Sequence, residues 1–527
     1  MPPFNAKSRD RPDLLEANTV GLPVKAPSSC LKKCCVCSGA RLHYLFSIEG
    51  NRVVRCDDCG LLLLNPQPPR AQMRNLYFEN QGEEDALKFS LADYYLDLLR
   101  KYGGAPHGRL LEIECGAGDF LRLAERSGYD VVGLDPSPAA CEKARGKIGP
   151  RGRIVEGELY ALKEELGSFD VCVIIDVIEN VNDPRAFLTA IHALLKPGGV
   201  LFIAAPSLSS PSKFRKKYRW KTFKPGRLFY FDDSTLESLL FHSAFHHIIR
   251  QTAKSGATFM ARSHVKEAKQ KLSIIVPAFN EEKTIKRVMD HLVAKRLENL
   301  DSEIIVVESH STDRTREIVS TYSDDPRVKL VLEESPRGKG HAVRAGFARA
   351  TGDFILIQDA DLEYDFDDYD LLMEPLIAGK SAFVLGARHG GRLMKLRTFR
   401  GAALSAFALN IGHWVFCALV DVFFWVPLRD PFTMFKVFRR DCLYGLSFEC
   451  DRFDFDIELL IKLVRKGYTP LEIPVNYNSR SFDQGKKVSV WRDPWTWLRA
   501  IFKFRLARID PLEQISADDL KSGSPTA

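Results

Sequence analysis

The stretch DFILIQDADLEY, Asp353–Tyr364, decides how the C-terminal half of this chain is read. Its FILIQ core is a short apolar run, which suits a strand buried on both faces of a parallel sheet. Two carboxylates, Asp359 and Asp361, follow with one alanine between them. Side chains at the carboxyl end of such a strand face the crevice where α/β sheets bind ligands. Hard carboxylate oxygens suit Mg2+ or Mn2+, and such an ion stabilises the charge that develops on a leaving diphosphate. The pair alone is ambiguous. The acid-rich run continues from Glu363 to Asp370, and the whole stretch also suits a solvated loop.

Its surroundings narrow the choice. LSIIVPAF (Leu272–Phe279), EIIVVE (Glu303–Glu308) and VKLVLEE (Val328–Glu334) read as further strands, and Glu281–Lys295 has helical spacing. An independent alternation lies upstream, in RLLEIEC (Arg109–Cys115), DVVGLD (Asp130–Asp135), FDVCVIID (Phe169–Asp176) and VLFIAAP (Val200–Pro206). Strands alternating with helical segments imply βαβ units, so the class is α/β with two parallel sheets.

A chain of 527 residues is too long for one core. Residues 1–29 read as a polar disordered arm, and residues 30–65 form a cysteine-rich module. The first α/β domain spans 85–262, a charged linker 263–271, the second α/β domain 272–508, and a disordered tail 509–527. The net charge of +7 is mild for this length and does not by itself argue for nucleic acid, which is not expected as a partner. The first twenty residues hold no apolar core of signal-peptide length, and most cysteines outside the module are scattered singly. Both features fit a reducing cytoplasm. The apolar run Ala402–Leu428 is long enough to span a bilayer, but Asn410, Gly412, His413 and Asp421 interrupt it. A surface helix at the inner membrane face, or a buried helical pair, accommodates those residues better. The basic run KFRKKYRWKTFK, Lys213–Lys224, suits either a solvated loop or a surface that meets anionic lipid or a phosphorylated substrate.

Cys34 and Cys37 form one C-x2-C pair and Cys56 and Cys59 another, with 18 residues between the pairs. That spacing suits a structural Zn2+ closed by four thiolates. Redox pairs or free thiols are the alternative. Cys35 breaks the spacing and is not expected to be a ligand.

In the first α/β domain, Gly116-Ala117-Gly118 follows a strand and opens a helix, so backbone there can approach a ligand closely. The next strand ends in Asp135, where a carboxylate can accept hydrogen bonds from ribose hydroxyls. LLEIECGAGDFL, VVGLDPSPAACEKAR, SFDVCVIIDVIENVNDP and LKPGGVLFIAAPS together resemble the class I S-adenosylmethionine-dependent methyltransferases. The resemblance implies that Glu112, Gly116 and Gly118 surround the methionine part of the cofactor. It also implies that Asp135 holds the ribose, that Glu158 lies near the adenine and that Asp176 faces the substrate. Glu114 stands where that family usually has glycine, and Asn180 where many members have histidine. Two readings follow: a methyltransferase, or a domain that binds or scaffolds without catalysis.

In the second, SIIVPAFNEEKTI, IIVVESHSTDRT, RGKGHAVRAGFARATGDFILIQDADLEY and DPFTMFKVFRRD occur in order. This set resembles family-2 glycosyltransferases of the nucleotide-sugar-binding GT-A fold, and among them dolichol- or polyprenyl-phosphate sugar transferases. The implied donor contacts are Pro277, Ala278, Asn280 and Glu281, with Glu308 and Ser309 at the usual acidic pair and Lys339 in the GKG loop. Asp359 and Asp361 would hold Mg2+ or Mn2+, with Glu363 as a further ligand. Arg388 would face a phosphate, and Arg480, Lys486 and Lys487 would close over phosphate oxygens. A lipid-phosphate acceptor needs little general-base help. A glycan hydroxyl needs a base, for which Asp430 and Glu458 are the candidates. VESHS in place of VDDGS implies altered base recognition.

Overall fold

The structure is a computed structural model. It describes residues 30–48, 50–68, 91–101, 108–209, 227–252, 257–263, 269–297, 300–388, 403–424, 426–478 and 493–507. The arm 1–29, the tail 509–527, the basic run Lys213–Lys224, and Arg480, Lys486 and Lys487 lie outside the described residues.

The N-terminal module is a small antiparallel sheet of β1 (Leu42–Ile48), β2 (Asn51–Cys56) and β3 (Leu62–Leu64). The methyltransferase-like domain contributes β4 (Arg109–Ile113), β5 (Asp130–Asp135), β6 (Arg153–Glu156), β7 (Phe169–Ile175), β8 (Leu195–Ala205), β9 (Phe229–Tyr230), β10 (Phe245–Thr252) and β11 (Ala257–Ser263). Seven of these form one sheet in the order β10-β11-β8-β7-β4-β5-β6. β4 to β8 run parallel, whereas β11 is antiparallel to both β8 and β10. The strand order reverses between β4 and β7, so the ligand crevice of this sheet lies at their carboxyl ends. β8 begins earlier than its apolar run because LKPGG already extends along β7, where Leu195 pairs with Phe169.

The crossover helices begin where the sequence offers caps. Ser137 accepts a hydrogen bond from Ala140 N ahead of Pro138–Arg145, and Asp183 does so from Ala186 N ahead of Pro184–Leu194. Each helix starts with proline, whose missing N–H costs nothing in the first turn. β9 leaves the large sheet and pairs with β3, so the cysteine module shares a four-stranded sheet with this domain. Arg185 fixes the contact by donating to the carbonyls of Cys35 and Val36.

The C-terminal sheet consists of β12 (Lys271–Ala278), β13 (Asp301–Glu308), β14 (Val328–Leu332), β15 (Phe354–Ile357), β16 (Phe383–Ala387), β17 (Lys436–Arg439) and β18 (Leu471–Pro474). Its order is β14-β13-β12-β15-β17-β16-β18. β12 to β15 are parallel, and β17 is antiparallel to β15 and β16. The chain reverses direction across the sheet between β12 and β15, which sets the crevice beside Asp359. Both ends of the expected linker are strand residues, Ser263 closing β11 and Lys271 opening β12.

The apolar run Ala402–Leu428 forms one helix, Ala403–Phe424. It packs on the helix Asp493–Leu506 through Phe416 against Trp497 and Phe423 against Phe502. Asp421 accepts a hydrogen bond from Leu428 N at 2.8 Å and so ties down the turn after the helix. Among the described residues no helix is long and apolar enough to cross a membrane.

Candidate functional site

Three loops meet at the carboxyl ends of β12, β13 and β15. Asn280 has a φ of +51° and stands just after β12. Its Oδ1 accepts from Thr312 N at 2.8 Å, its own N–H donates to Ser311 Oγ, and Glu281 N donates to Thr315 Oγ1. These bonds staple the loop after β12 to the loop after β13. Thr284 Oγ1 then reaches the carbonyl of Ala360 at 2.9 Å and adds the acidic loop. Pro277 and Ala278 end β12, and Ser309 N donates to the Ala278 carbonyl. Glu308 is fully buried, accepts from Ser311 N and contacts Arg316. Its carboxylate therefore shapes the loop from below.

Asp361 is buried and accepts from Glu363 N at 3.1 Å, whereas Asp359 keeps partial exposure. Lys339 contacts Asp359 through its ammonium group and lies 5.9 Å over the Phe453 ring. Burial works against the charge of Lys339, but Asp359, Asp456 and Asp361 hold its pKa above the ordinary lysine range. The flanking glycines have a steric reason. A Cβ on Gly338 would lie 2.3 Å from the Asp451 carbonyl, and one on Gly340 would lie 2.4 Å from that of Cys450. No other residue lets the GKG turn sit against that backbone. Glu363 accepts from Tyr477 OH at 2.8 Å, and its carbonyl accepts from Asn478 N. The chain thus reaches the acidic loop two residues before Arg480.

Arg388 is held by Asp430 through three hydrogen bonds: from its N–H at 2.9 Å, from Nε at 2.8 Å and from Nη2 at 2.7 Å. Its guanidinium lies 5.3 Å over the Tyr477 ring. Burial opposes the charge of Arg388, yet Asp430 keeps its pKa well above the ordinary value. Glu458 is also fully buried and contacts Lys462 while accepting from Glu449 N and Cys450 N. The geometry gives both carboxylates work other than the general-base role open to them in the sequence. Asp430 orients an arginine, and Glu458 fastens the segment against which the GKG turn packs.

A different carboxylate lies within electrostatic reach of Lys339 and Asp359. Asp456 opens the helix Phe455–Arg465 and is buried. Its Oδ1 takes no hydrogen bond among the described residues. Burial raises its pKa, opposed by the cations Lys436 and Lys339. Lys436 is fully buried, and burial pulls its pKa down to about 8. Sequence reasoning passed over both residues, since Asp456 lies two positions from Glu458 in a helix that also carries Lys462 and Arg465. A lysine inside the strand KVFR was the available signal, because a buried lysine calls for an anion nearby.

In the upstream domain, Asp135 is fully buried and accepts from Gly116 N at 2.9 Å and Ser137 N at 2.8 Å. It thereby fixes the glycine turn. Gly116 and Gly118 have φ values of +54° and +76°, and Glu114 is held at +58° although it is not glycine. Glu112 is buried on β4, Glu158 is exposed ahead of the helix Leu159–Leu166, and Asp176 has a φ of +55° just after β7. The turn after β7 is tied to β9, because Leu228 N and Phe229 N both donate to the Glu179 carbonyl.

In the N-terminal module, Cys34, Cys37, Cys56 and Cys59 present sulfurs that all lie within 4.8 Å of one another. Two of the separations, Cys34–Cys59 and Cys37–Cys56, are 3.5 Å. Four thiolates about 2.3 Å from a tetrahedral ion would be about 3.8 Å apart, so the donor set fits such an ion. Cys35 is not part of the cluster.

The family profile "Glycosyl transferase family 2" matches residues 273–443, and the profile "Methyltransferase domain" matches residues 87–245. A dolichyl-phosphate beta-glucosyltransferase of Drosophila melanogaster is 31% identical over 246 residues, which are 43% of this chain and 71% of that protein. A Trichomonas vaginalis protein with the same description is 30% identical over 220 residues, 39% of this chain and 65% of that one. A dolichol-phosphate mannosyltransferase of Pyrococcus furiosus is 28% identical over 218 residues, 41% of this chain and 59% of that one. The chain thus spans less than two thirds of the length of several curated relatives that it matches. Among solved structures, glucosyl-3-phosphoglycerate synthase of Mycobacterium tuberculosis is 22% identical with a TM-score of 0.32, over 45% of this chain and 80% of that one.

Proposed function

The chain belongs to glycosyl transferase family 2, and from that premise we propose that residues 272–508 transfer a hexosyl group from a nucleotide-sugar to a polyprenyl phosphate, with inversion at the anomeric carbon. The observation that carries the reading is the cluster of Asp359, Asp361 and Lys339 at the switch point of the sheet. Asp359 and Asp361, with Glu363 beside them, would hold Mg2+ or Mn2+, which when bound neutralises charge on the leaving nucleoside diphosphate. Lys339 can move from Asp359 to a phosphate oxygen without leaving the cluster. Asn280 and Glu281 shape the floor for the nucleoside. Arg388, oriented by Asp430, offers a fixed fork to a phosphate, a task suited to arginine. Arg480, Lys486 and Lys487 would close over the phosphates.

A lipid acceptor also agrees with the outer face of the two packed helices. Val422 is 69% exposed, Trp495 74% and Leu506 85%, and Arg499, Lys503 and Arg505 share the second helix. Apolar side chains beside cations suit peripheral contact with an anionic bilayer at the inner membrane face. A glycan hydroxyl acceptor is the second reading. Asp456, with its raised pKa and an Oδ1 that takes no hydrogen bond among the described residues, favours it as a proton acceptor. The test is sugar transfer by purified full-length chain from UDP-glucose and GDP-mannose, with Mn2+, to a polyprenyl phosphate or to an oligosaccharide. A labelled lipid product supports the first reading. Transfer to the oligosaccharide alone supports the second, and transfer to neither overturns both.

For residues 85–262 we propose S-adenosylmethionine-dependent methyl transfer, with cofactor around Glu112, Gly116, Gly118 and Asp135, Glu158 at the adenine end, and Asp176 on the substrate side. The left-handed Glu114 favours the alternative of a scaffold that binds cofactor weakly. For the cysteine cluster we propose a structural Zn2+ that stiffens the sheet joining the module to this domain.

A further inference from the structure

The chain leaves the methyltransferase-like sheet at Ser263, the end of β11. Within the β8–β11 ladder, Ala205 at the carboxyl end of β8 faces Ala257, and Val200 faces Arg262. Ser263 therefore stands at the end of the sheet opposite its ligand crevice. The chain enters the next sheet at Lys271, the amino end of β12, again opposite the crevice that holds Asp359. Only seven residues separate these two points. The base of the second sheet abuts the edge strand β10 and the helix Asp233–His242 of the first.

The junction itself is filled with charge. Glu237, on the helix Asp233–His242, contacts Arg439 at the end of β17 and lies 3.4 Å from Arg250 on β10. Arg439 Nε donates to Asp441 at 3.0 Å, and Asp441 accepts from the Ile248 N–H at 3.0 Å. Arg250 Nη2 donates to the Lys466 carbonyl at 2.8 Å, and a Cβ on Gly467 would lie 2.2 Å from that nitrogen. Ser238 Oγ donates to the Gly379 carbonyl at 2.6 Å, and His247 contacts Tyr444 OH. Glu237, Arg250, Arg439 and Asp441 are each at most 7% exposed. Two arginines and two carboxylates balance there, and parting the domains would tear this pairing open. Unpaired buried charges are strongly unfavourable, whereas separable domains usually meet through modest, wetter contacts.

We propose that the two transferase domains are one cooperative folding unit, welded along β10 by Glu237, Arg250, Arg439 and Asp441. A ligand in either crevice then stabilises both domains. The location of the crevices rests on the functional reading above, but the weld does not.

The experiment is calorimetry of the full chain, intact and after cutting at a protease site inserted just after Ser263. A single unfolding transition is expected, with the cut halves co-eluting in size-exclusion chromatography and still unfolding together. Glu237→Ala should lower the transition by several degrees and let the cut halves separate, and Glu237→Gln should do so less. Two independent transitions in the intact wild-type chain, or separation of the wild-type halves, would overturn the weld. S-adenosylhomocysteine, or UDP with Mn2+, should shift the whole transition upward. A single transition that neither probe moves would support the weld and count against the proposed ligands.

Discussion

Asp430 gives the sharpest perturbation. The sequence offers it as a general base, whereas the structure makes it the counter-ion of Arg388. The carboxylate is fully buried, the arginine side chain is 10% exposed, and three hydrogen bonds of 2.7 to 2.9 Å join them. Asp430→Ala leaves a guanidinium in a dry site without an anion. Breaking one side of a buried pair typically costs about 3–5 kcal/mol, far more than deleting a solvent-facing base. Asp430→Asn keeps one acceptor and should cost roughly half as much. Arg388→Met combined with Asp430→Leu removes both charges and should recover most of the loss. Urea unfolding of the four proteins, followed by tryptophan fluorescence, measures these differences. Sugar transfer should fall in all three variants, because Arg388 no longer holds its position. An Asp430→Ala protein as stable as the wild type, within about 0.5 kcal/mol, but without turnover would refute the positioning argument and restore the catalytic base.

The remaining predictions concern other parts of the chain. Metal analysis should find one zinc per chain. Chelation or Cys56→Ser should loosen the N-terminal module and lower thermal stability while leaving nucleotide binding by residues 272–508 intact. Glu114→Gly should tighten S-adenosylmethionine in a calorimetric titration without lowering the melting temperature, because the position already has a φ of +58° and the change removes a carboxylate from the turn. An unchanged or weaker affinity would show that Glu114 is not what limits binding. Glu303 is buried, which alone would raise its pKa, but Lys271, Lys329, Ser273 and Thr351 draw it down from 4.5 to about 2. Its contribution is thus present above pH 4.5 and disappears as the pH falls towards 2. Glu303→Gln should remove about 3 kcal/mol at neutral pH and flatten the acid limb of the stability curve.

Eight of the fourteen strands in the two large sheets were legible, because buried parallel strands are written as short apolar runs, whereas β6, β10, β11 and β16 to β18 were not read as strands. DVVGLD and the observed β5 share both bounds, and FILI is β15. The acidic loop was legible for the same reason, as it follows β15 directly. What escaped was written in pairs far apart in sequence. Nothing near Glu237 announces Arg439 about two hundred residues later, and nothing in PFTMFKVF says that Lys436 is buried beside Asp456. β9 escaped because a two-residue strand has no periodicity, and its partner β3 belongs to a different module. Asp430 and Glu458 were visible as acids, but burial decided their work, and burial depends on which strand and helix cover them. The Asp135 carboxylate, read as a ribose ligand, also turned out to pin the turn containing Gly116.

The most direct test of the central claim is a calorimetric titration of UDP, with and without Mn2+, into the full chain and into Asp361→Ala. Circular dichroism should confirm that the variant is folded. Mn2+-dependent binding to the wild type is expected, with at least tenfold weaker binding to the folded variant and loss of its sugar transfer. Equal Mn2+-dependent affinity in both proteins, or turnover by Asp361→Ala near that of the wild type, would contradict it.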